Sequence, residues 1–423
     1  MNSRIKIVEN MASVFMKKGV LFFIILRFLV SGIEEYMILP TAWKYIHFLG
    51  ESEIYLGIVL AAYGAAVVVF TPLLSKLTDK YRCPKLMLLF CHALRMCGNA
   101  LYAISLSPFY ALIGRILCGI SAASDVLLLG ELGRTTKAKH RANVFFLLDG
   151  IYILGCAMGP TLATIFTFNF SVSGWKVIPE NSSGFVLAVI WLVIFMITLV
   201  LPRDFSLDEE LSDAQLVLTP SGFAESFAED AQKTAVDRSQ ILCLLSYIFF
   251  IWFFLSVTGF YTPLFASELF NFGQFHINLL FGNGLLLQLV LFLFCYVIKE
   301  KIDERFLLLI AMFLQAVPLI IMGTFGLNWS HEYMFLLLVF ILVGTPLVSF
   351  TVASSLLSKI THPQLTGYYQ RLAYTAQHIA LFLSRIVAAF FFKRTLLAWL
   401  GLQLGFLWLM ITVSYTLVFF MKY

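Results

Sequence analysis

The chain has 423 residues, of which 60% are hydrophobic and 13% are charged, and its mean hydropathy is +0.90. A water-soluble protein cannot bury so large an apolar fraction, because its surface grows almost as fast as its volume, and we therefore expect a membrane protein. The formal net charge of +5 is spread between apolar blocks, which argues against nucleic acid as a partner. The seven cysteines show no spacing typical of disulfides or metal sites.

Apolar runs long enough to cross a bilayer recur along the whole chain. A membrane-spanning helix needs about 20 mostly apolar residues. The first run follows Lys17 and Lys18 and has no cleavage site, so we predict a retained span and not a signal peptide. The twelve predicted spans are approximately 19–41, 55–77, 86–106, 108–133, 142–168, 184–202, 240–266, 277–298, 306–326, 333–357, 369–391 and 397–421.

A charged segment divides these spans into two sets of six. Residues 203–239 contain nine acidic and three basic residues, a composition typical of a solvated linker. We therefore predict an all-α membrane protein in three parts. Residues 1–202 form one six-helix bundle, residues 203–239 form an acidic linker, and residues 240–423 form a second six-helix bundle.

The distribution of basic residues predicts the side on which each loop lies. With the N-terminus in the cytosol, 21 of the 29 Lys and Arg residues fall in cytosolic segments, four fall on the opposite side and four fall within spans. This positive-inside pattern predicts that both termini and the linker are cytosolic. Two N-x-S sequons, at Asn181 and Asn328, fall on the opposite side, where N-glycosylation occurs, so we predict a glycan at each.

Three sequence patterns follow one another through spans two to five. They are TPLLSKLTDKYRCPK after span two, GRILCGISAA in span four and GIYILGCAMGPTLA in span five. Small residues allow helices to pack closely, and a Gly-Pro pair loosens the hydrogen-bond ladder of a helix. Gly159 and Pro160 therefore indicate either a packed, kinked helix or a gating element.

Together these patterns resemble those of the major facilitator superfamily. The matching residues are Leu77, Asp79, Lys80, Arg115, Gly119, Gly155, Gly159 and Pro160. In the first pattern, Ser75 and Arg82 stand where the family has glycines. The resemblance implies two pseudo-symmetric six-helix bundles, a cytosolic latch formed by the first pattern, and movement of a solute by alternating access.

A narrower resemblance is to the lysosomal branch associated with neuronal ceroid lipofuscinosis, the domain-containing-protein-8-like group. It rests on YRCPK, NALYAI, YALIGRILCGISA, SSLLSKITHPQLTGYYQ and SRIVAA. The chain lacks the long loop between spans nine and ten that is expected of that group. This resemblance implies a lysosomal or endosomal membrane, with the plasma membrane as the alternative.

Charged side chains lie inside several predicted spans. A charge at the bilayer centre costs about 2.5–3.5 kcal/mol, so such residues either form salt bridges or line a wet cavity. We predict that several of them, together with His378 in span eleven, line a solute or ion pathway. The charged residues are Arg27, Glu34, Glu35, Arg95, Arg115, Asp125, Asp149 and Arg385. Arg115 and Asp125 are separated by about 15 Å along one helix, which is too far to pair.

The acidic and basic groups suggest separate roles. Burial favours the neutral form of a carboxylic acid, so Glu34 or Glu35 with Asp125 or Asp149 is predicted to carry a proton-linked step. The alternative is permanent ion pairing with the arginines. Arginine stays protonated in nearly any surroundings, so Arg115 indicates an anionic solute. Its alternatives are a part in proton coupling or an interhelical salt bridge.

Three classes of function follow from these features. The leading prediction is a secondary transporter of a small anionic solute, with proton coupling as a further expectation. The alternatives are a chloride channel on the same fold and a non-transporting membrane scaffold or receptor. The sequence contains no Ser/His/Asp grouping, metal-ligand cluster or phosphate-binding loop, so we expect neither an enzyme nor a cofactor or metal site. We expect a monomer in the lipid bilayer.

Overall fold

Helices make up most of the structure, a computed structural model. It describes residues 2–81, 83–135, 138–172, 174–201, 238–298, 301–327, 346–361, 366–391 and 394–420. Nearly all of the predicted linker lies outside these ranges, so its structure and the exact domain boundaries stay predictions. Each half of the chain contributes six helices to the described residues, which confirms the predicted all-α fold.

The N-terminal half contains six helices and one short hairpin. The helices are α1 Asn2–Phe48, α2 Glu53–Tyr81, α3 Pro84–Ala103, α4 Pro108–Thr135, α5 Ala138–Ile165 and α6 Ser182–Val200. Two antiparallel strands precede α6, β1 Phe170–Val172 and β2 Trp175–Val177. Gly174 in their turn has a φ of 88°, a left-handed conformation that glycine adopts without steric cost. The hydropathy pattern does not predict this hairpin.

The C-terminal half repeats the six-helix arrangement. Its helices are α7 Arg238–Glu268, α8 Gln274–Ile298, α9 Glu304–Leu327, α10 Pro346–Ile360, α11 Thr366–Phe390 and α12 Arg394–Phe420. Ten of the described helices are long and apolar enough to cross a membrane. The exceptions are α10, which is apolar but is described over 15 residues, and α1, which has Arg27, Glu34 and Glu35 in its apolar run.

The helices pack in the same way in both halves and meet along two main seams. In the N-terminal half α1 packs against α5, and α3 packs against α4 and α6. In the C-terminal half α7 packs against α11, and α9 packs against α12. The halves meet mainly where α2 contacts α11 and where α5 contacts α8. A shift of six helices converts one of these seams into the other, as two pseudo-symmetric bundles require.

The two halves are tied together at one end, on the side that the charge distribution predicts to be non-cytosolic. Trp43 Nε1 donates a hydrogen bond to Glu268 Oε1 at 3.2 Å, and Lys44 Nζ donates to the Phe272 carbonyl at 3.2 Å. Tyr261 in α7 is bonded to α11 within its own half, through the Ala388 carbonyl at 2.8 Å. The structure is therefore closed between α1 and the α7–α8 connection.

Glycines allow several helices to touch backbone to backbone. A Cβ atom added to Gly155 in α5 would lie 2.2 Å from the carbonyl oxygen of Leu29 in α1. A Cβ atom on Gly119 in α4 would lie 2.4 Å from the carbonyl oxygen of Tyr63 in α2. These approaches explain the small residues of the patterns in spans four and five. They also set the short spacing between α1 and α5 and between α2 and α4.

The substitution Gly155→Ala tests this packing. The added methyl group meets backbone atoms that cannot rotate away, so α1 and α5 must separate. We expect the free energy of unfolding to fall by about 1–3 kcal/mol or more. The matched control is Gly405→Ala in α12, where no atom lies within 4 Å and the change should be neutral or slightly stabilising. Thermal unfolding of the purified proteins in detergent measures both. Equal melting temperatures for the two variants would contradict the packing described.

Candidate solute site between the two halves

Five charged residues fill the centre of the N-terminal half. α1 supplies Arg27 and Glu34, α3 supplies Arg95, and α4 supplies Arg115 and Asp125. We call these five residues the buried charge cluster. Four of them are at most 5% exposed, whereas the Asp125 side chain is 24% exposed. Such charges are stable in an apolar surrounding only when they are paired or hydrated, so their partners decide what each can do.

The Glu34 carboxylate is the centre of this cluster. Its Oε2 accepts hydrogen bonds from Arg95 Nε at 2.6 Å and Trp191 Nε1 at 2.7 Å. Its Oε1 accepts a hydrogen bond from Asn99 Nδ2 at 3.3 Å and lies 3.8 Å from Arg115 Nη1. One carboxylate therefore compensates two guanidinium groups and connects α1, α3, α4 and α6.

The guanidinium of Arg27 is fully engaged within the N-terminal half. Its Nε donates a hydrogen bond to His92 Nε2 at 3.0 Å, and the group forms an ion pair with Asp125. Arg27 and Arg95 both lie over the Trp191 ring, 4.6 and 4.5 Å from its centroid. Cation–π contacts of this kind stabilise a desolvated guanidinium further. This arrangement favours a structural salt bridge for Arg27 over contact with a solute.

Two other arginines, one from each half, line the same cavity at the boundary between the halves. Arg115 of α4 and Arg385 of α11 line one cavity of about 340 Å³, which we call the arginine cavity. Arg115 lies over the Tyr63 ring at 4.6 Å, and its Nε and Nη1 have no hydrogen-bond partner among the described residues. Arg385 Nη1 donates to the Leu60 carbonyl at 2.8 Å. Arg385 forms no ion pair with any residue that the structure describes.

A larger space, the central cavity, adjoins the arginine cavity. Its volume is about 700 Å³, and it shares Glu35, Tyr63 and Arg95 with the arginine cavity. Its ionisable lining consists of Glu35, Tyr63, Arg95, Asp125, Asp149, Tyr152, Tyr374 and His378. Glu35 accepts a hydrogen bond from Tyr152, and neither Glu35 nor Asp149 is in an ion pair with a described residue. His378 Nδ1 donates to the Tyr374 carbonyl at 2.7 Å.

A third space, the serine cavity, continues from the central cavity away from the closed end. It has a volume of about 450 Å³ and shares Asp149, Thr351 and Tyr374 with the central cavity. Its hydroxyl and amide lining comes from α10 and α11, with Ser354, Ser355, Ser358 and Gln370. The three cavities therefore form one series between the halves, and polar side chains line each of them among apolar residues.

Several residues of the buried charge cluster's surroundings and of the cavities are absent from the sequence-based prediction. Trp191 and Tyr63 are aromatic residues in apolar runs, and nothing in their local sequence distinguishes them from packing residues. The hydroxyl side chains of α10 could have been found from the sequence, because SFTVASSLLSK places five Ser and Thr residues in an apolar helix. The predicted residues Arg115, Arg385, Glu35, Asp149 and His378 do line the series.

The predicted glycan at Asn181 conflicts with the position of that side chain. Asn181 is 0% exposed, and its Nδ2 donates hydrogen bonds to the carbonyls of Ala103 at 2.9 Å and Lys176 at 3.0 Å. A glycan is attached through this nitrogen, so the folded chain has no room for one here. Asn181 instead anchors the β1–β2 hairpin to the end of α3. Asn328 lies outside the described residues.

The residues of the predicted latch and helix-crossing patterns lie where the sequence suggests. Leu77 and Lys80 are exposed near the end of α2. The side chain of Asp79 and the whole of Arg82 lie outside the described part, so the latch stays a prediction. Gly159 is packed against α1, where an added Cβ atom would lie 2.9 Å from the Ile33 carbonyl oxygen. Pro160 lies inside α5, and the structure shows α5 as one helix.

Sequence comparisons identify a family and partial relatives. Residues 24–385 match the profile of the Major Facilitator Superfamily. The tetracycline resistance protein class H of Pasteurella multocida is 33% identical over 127 residues, which cover 30% of this chain and 31% of that protein. An SPX domain-containing membrane protein of Oryza sativa subsp. indica is 28% identical over 165 residues, covering 38% of this chain and 23% of that protein. The match thus covers less than a third of the length of each of these two relatives.

Solved structures extend the likeness to nearly the whole chain. A D-xylose–proton symporter superposes with a TM-score of 0.71 at 15% identity, covering 95% of this chain and 96% of that one. The human organic anion transporter MFSD10 superposes with a TM-score of 0.65 at 16% identity, covering 94% of this chain and 99% of that one. At such identities the likeness shows the fold alone.

Neighbouring acids on α1 should differ in their importance for stability. Glu34→Gln removes the charge that compensates Arg95 and Arg115, so we expect the free energy of unfolding to fall by about 3–5 kcal/mol. Glu35→Gln keeps an acceptor for Tyr152 and removes no described ion pair, so its melting temperature should stay near that of the wild type. Thermal unfolding in detergent distinguishes the two variants. A Glu34→Gln protein as stable as Glu35→Gln would refute the central position of Glu34.

Proposed function

The chain belongs to the Major Facilitator Superfamily, and on that premise we propose that it transports a small anionic solute across a membrane by alternating access. We propose further that the anionic group binds in the arginine cavity, between Arg115 and Arg385. Two helical halves that rock about a site near the membrane midplane are the usual basis of such transport.

The observation that supports this proposal is the incomplete compensation of two buried arginines. Arg115 and Arg385 are each 5% exposed, yet Arg115 shares its nearest carboxylate, Glu34, with Arg95. Arg385 has a backbone carbonyl as its bonding partner and no described ion pair. Because a guanidinium cannot lose its charge by deprotonation, an anion between the two groups would satisfy the free N–H donors.

The position of the two arginines also suits the transport cycle. Arg115 belongs to the N-terminal half and Arg385 to the C-terminal half, so an anion that contacts both connects the bodies that must move. A ligand shifts a conformational equilibrium only through a difference in its affinity for the states. An anion bound by both arginines would favour states in which the halves approach each other, as occlusion of a solute requires.

The acids of the cavities provide a route for proton coupling. The interior contains four arginines, Arg27, Arg95, Arg115 and Arg385, and four acids, Glu34, Glu35, Asp125 and Asp149. When all are ionised these charges cancel, so an incoming anion leaves an excess negative charge. Protonation of one acid removes that excess. Glu34 and Asp125 are held by arginines, and we therefore assign the proton to Glu35 or Asp149.

The orientation and membrane are proposed from the sequence. Basic residues favour cytosolic termini, which would make the closed end in this structure the luminal or external end. The serine cavity would then lie towards the cytosol. The stretches that resemble the lysosomal ceroid-lipofuscinosis branch support an endosomal or lysosomal membrane, and protonation-linked transport suits such an acidic compartment.

Conservative substitution of the two arginines tests the proposed anion site. Lysine keeps the positive charge but loses the planar fork that binds an oxyanion through two N–H groups. We expect Arg115→Lys and Arg385→Lys each to reduce carboxylate or phosphate uptake into proteoliposomes roughly 10-fold or more, and to affect chloride less. Arg238→Lys, at an exposed position, is the matched control. Full uptake of every oxyanion by both cavity variants would overturn the proposal, and single-channel chloride currents would favour a channel.

Amide substitutions test the proposed proton sites. Glu35→Gln and Asp149→Asn cannot exchange a proton, so the responsible variant should lose uptake driven by a pH gradient while it retains exchange of labelled solute. In the wild type, uptake should rise as the pH on the solute side falls, because protonation accompanies anion binding. Glu53→Gln, outside the three cavities, is the control. Wild-type pH dependence in both cavity variants would contradict proton transfer through these acids.

A further inference from the structure

We infer that the solute is an organic monoanion, in which one anionic group is attached to a ring of about the size of benzene, and not an inorganic ion. The inference rests on the proposed function, because it places the anionic group in the arginine cavity. It adds that the neutral body of the solute occupies the central cavity. Four features of that cavity lead to this assignment: its continuity with the arginine cavity, its aromatic walls, its unpaired polar atoms and the sign of its charges.

The first feature is the continuity of the two spaces. The arginine cavity and the central cavity share Glu35, Tyr63 and Arg95 in their walls, so the space beside the two arginines opens into the central cavity. A halide or a phosphate would fill only the arginine end. The adjoining space fits a molecule that extends from that end.

The second feature is a set of aromatic rings on the C-terminal side of the central cavity. Trp252 and Phe350 meet edge to face with centroids 5.6 Å apart, and Phe350 and Tyr374 meet in the same way at 5.6 Å. All three line the cavity. Aromatic walls bind a flat apolar ring by stacking and edge contacts, and they provide little for a hydrated inorganic ion.

The third feature is two buried polar atoms without a partner. Trp252 is 2% exposed and Gln377 is 6% exposed, and both line the central cavity. Neither Trp252 Nε1 nor Gln377 Oε1 has a hydrogen-bond partner among the described residues. A buried polar group without a partner is unfavourable, and most such groups in proteins are paired. An indole N–H and an amide in one cavity would together bind a hydroxyl or amide group on the body of the solute.

The fourth feature restricts the charge of the solute. The arginine cavity is lined by Arg95, Arg115 and Arg385 against Glu34 and Glu35, whereas the central cavity is lined by Glu35, Asp125 and Asp149 with Arg95 as its one arginine. A second negative charge on the body of the solute would lie beside these carboxylates and be repelled. The space therefore accepts one anionic group at its arginine end and a neutral, hydrogen-bonding body at the other.

Binding of a graded series of anions to the detergent-purified chain tests this inference. The probes are chloride, phosphate, acetate, benzoate, para-hydroxybenzoate and the dianion terephthalate, and the readouts are thermal stabilisation and binding of labelled ligand. We expect para-hydroxybenzoate to bind most tightly of the series and terephthalate to bind more weakly than benzoate. A ligand that binds the folded state stabilises it by an amount that grows with the logarithm of its concentration divided by its Kd, so the ranking of affinities follows from melting temperatures measured at equal ligand concentrations.

Two cavity variants locate the body of the solute. Trp252→Phe keeps an aromatic ring but removes the indole N–H donor. Gln377→Met keeps the length of the side chain but removes its amide group. Each substitution should weaken the affinity for para-hydroxybenzoate about 3- to 10-fold and leave the affinity for acetate unchanged. Trp399→Phe, at a side chain 64% exposed on the outer surface, should change neither ligand. Each variant is first checked for wild-type melting without ligand, and Gln377→Met decides the outcome if Trp252→Phe does not fold.

The outcomes separate this inference from the proposed function. Binding restricted to chloride, phosphate or acetate would overturn the organic monoanion while leaving an anion site at Arg115 and Arg385. Tighter binding of terephthalate than of benzoate, or unchanged para-hydroxybenzoate binding in both variants, would also overturn it. If no anion binds and neutral solutes or cations do, the proposed function itself is wrong.

Discussion

The charge of a buried arginine has to be compensated, and the packing of the N-terminal half depends on that constraint. Glu34 meets most of the requirement, because its two oxygens receive Arg95, Trp191 and Asn99 and lie near Arg115. These partners come from α3, α4 and α6, so one carboxylate on α1 holds four helices in register. The close glycine contacts between α3 and α4, at Gly98 and Gly114, and between α3 and α6, at Gly184, permit the short distances that these bonds need.

The same constraint separates structural charges from those available to a solute. Arg27 has an acid, a histidine and an aromatic ring as partners, and nothing further is required to satisfy it. Arg115 and Arg385 are equally buried, but their donors are only partly used. The division follows the boundary between the halves. Charged residues inside the N-terminal half are paired with one another. The arginines at the boundary retain N–H donors that can bind a ligand.

The sequence was sufficient for the helices and for the identity of most charged residues, but not for their partners. Hydropathy and charge predicted twelve spans in two halves, and the small residues at Gly119 and Gly155 predicted close crossings. Pairing depends on how each helix is rotated and which neighbours it meets, and a hydropathy profile contains neither. Trp191 bonds to Glu34 from 157 positions away, and Arg385 reaches the Leu60 carbonyl from 325 positions away. The buried Asn181 shows the same limit, because a sequon gives no information about burial.

The most direct test of this account is an experimental structure of the chain with a transported anion bound. The account predicts density for the anionic group between the guanidinium groups of Arg115 and Arg385, within hydrogen-bonding distance of both, while Glu34 stays bonded to Arg95. Density elsewhere would contradict it. So would a bound state in which Arg115 and Arg385 are paired with Glu34 and Glu35 and neither touches the anion.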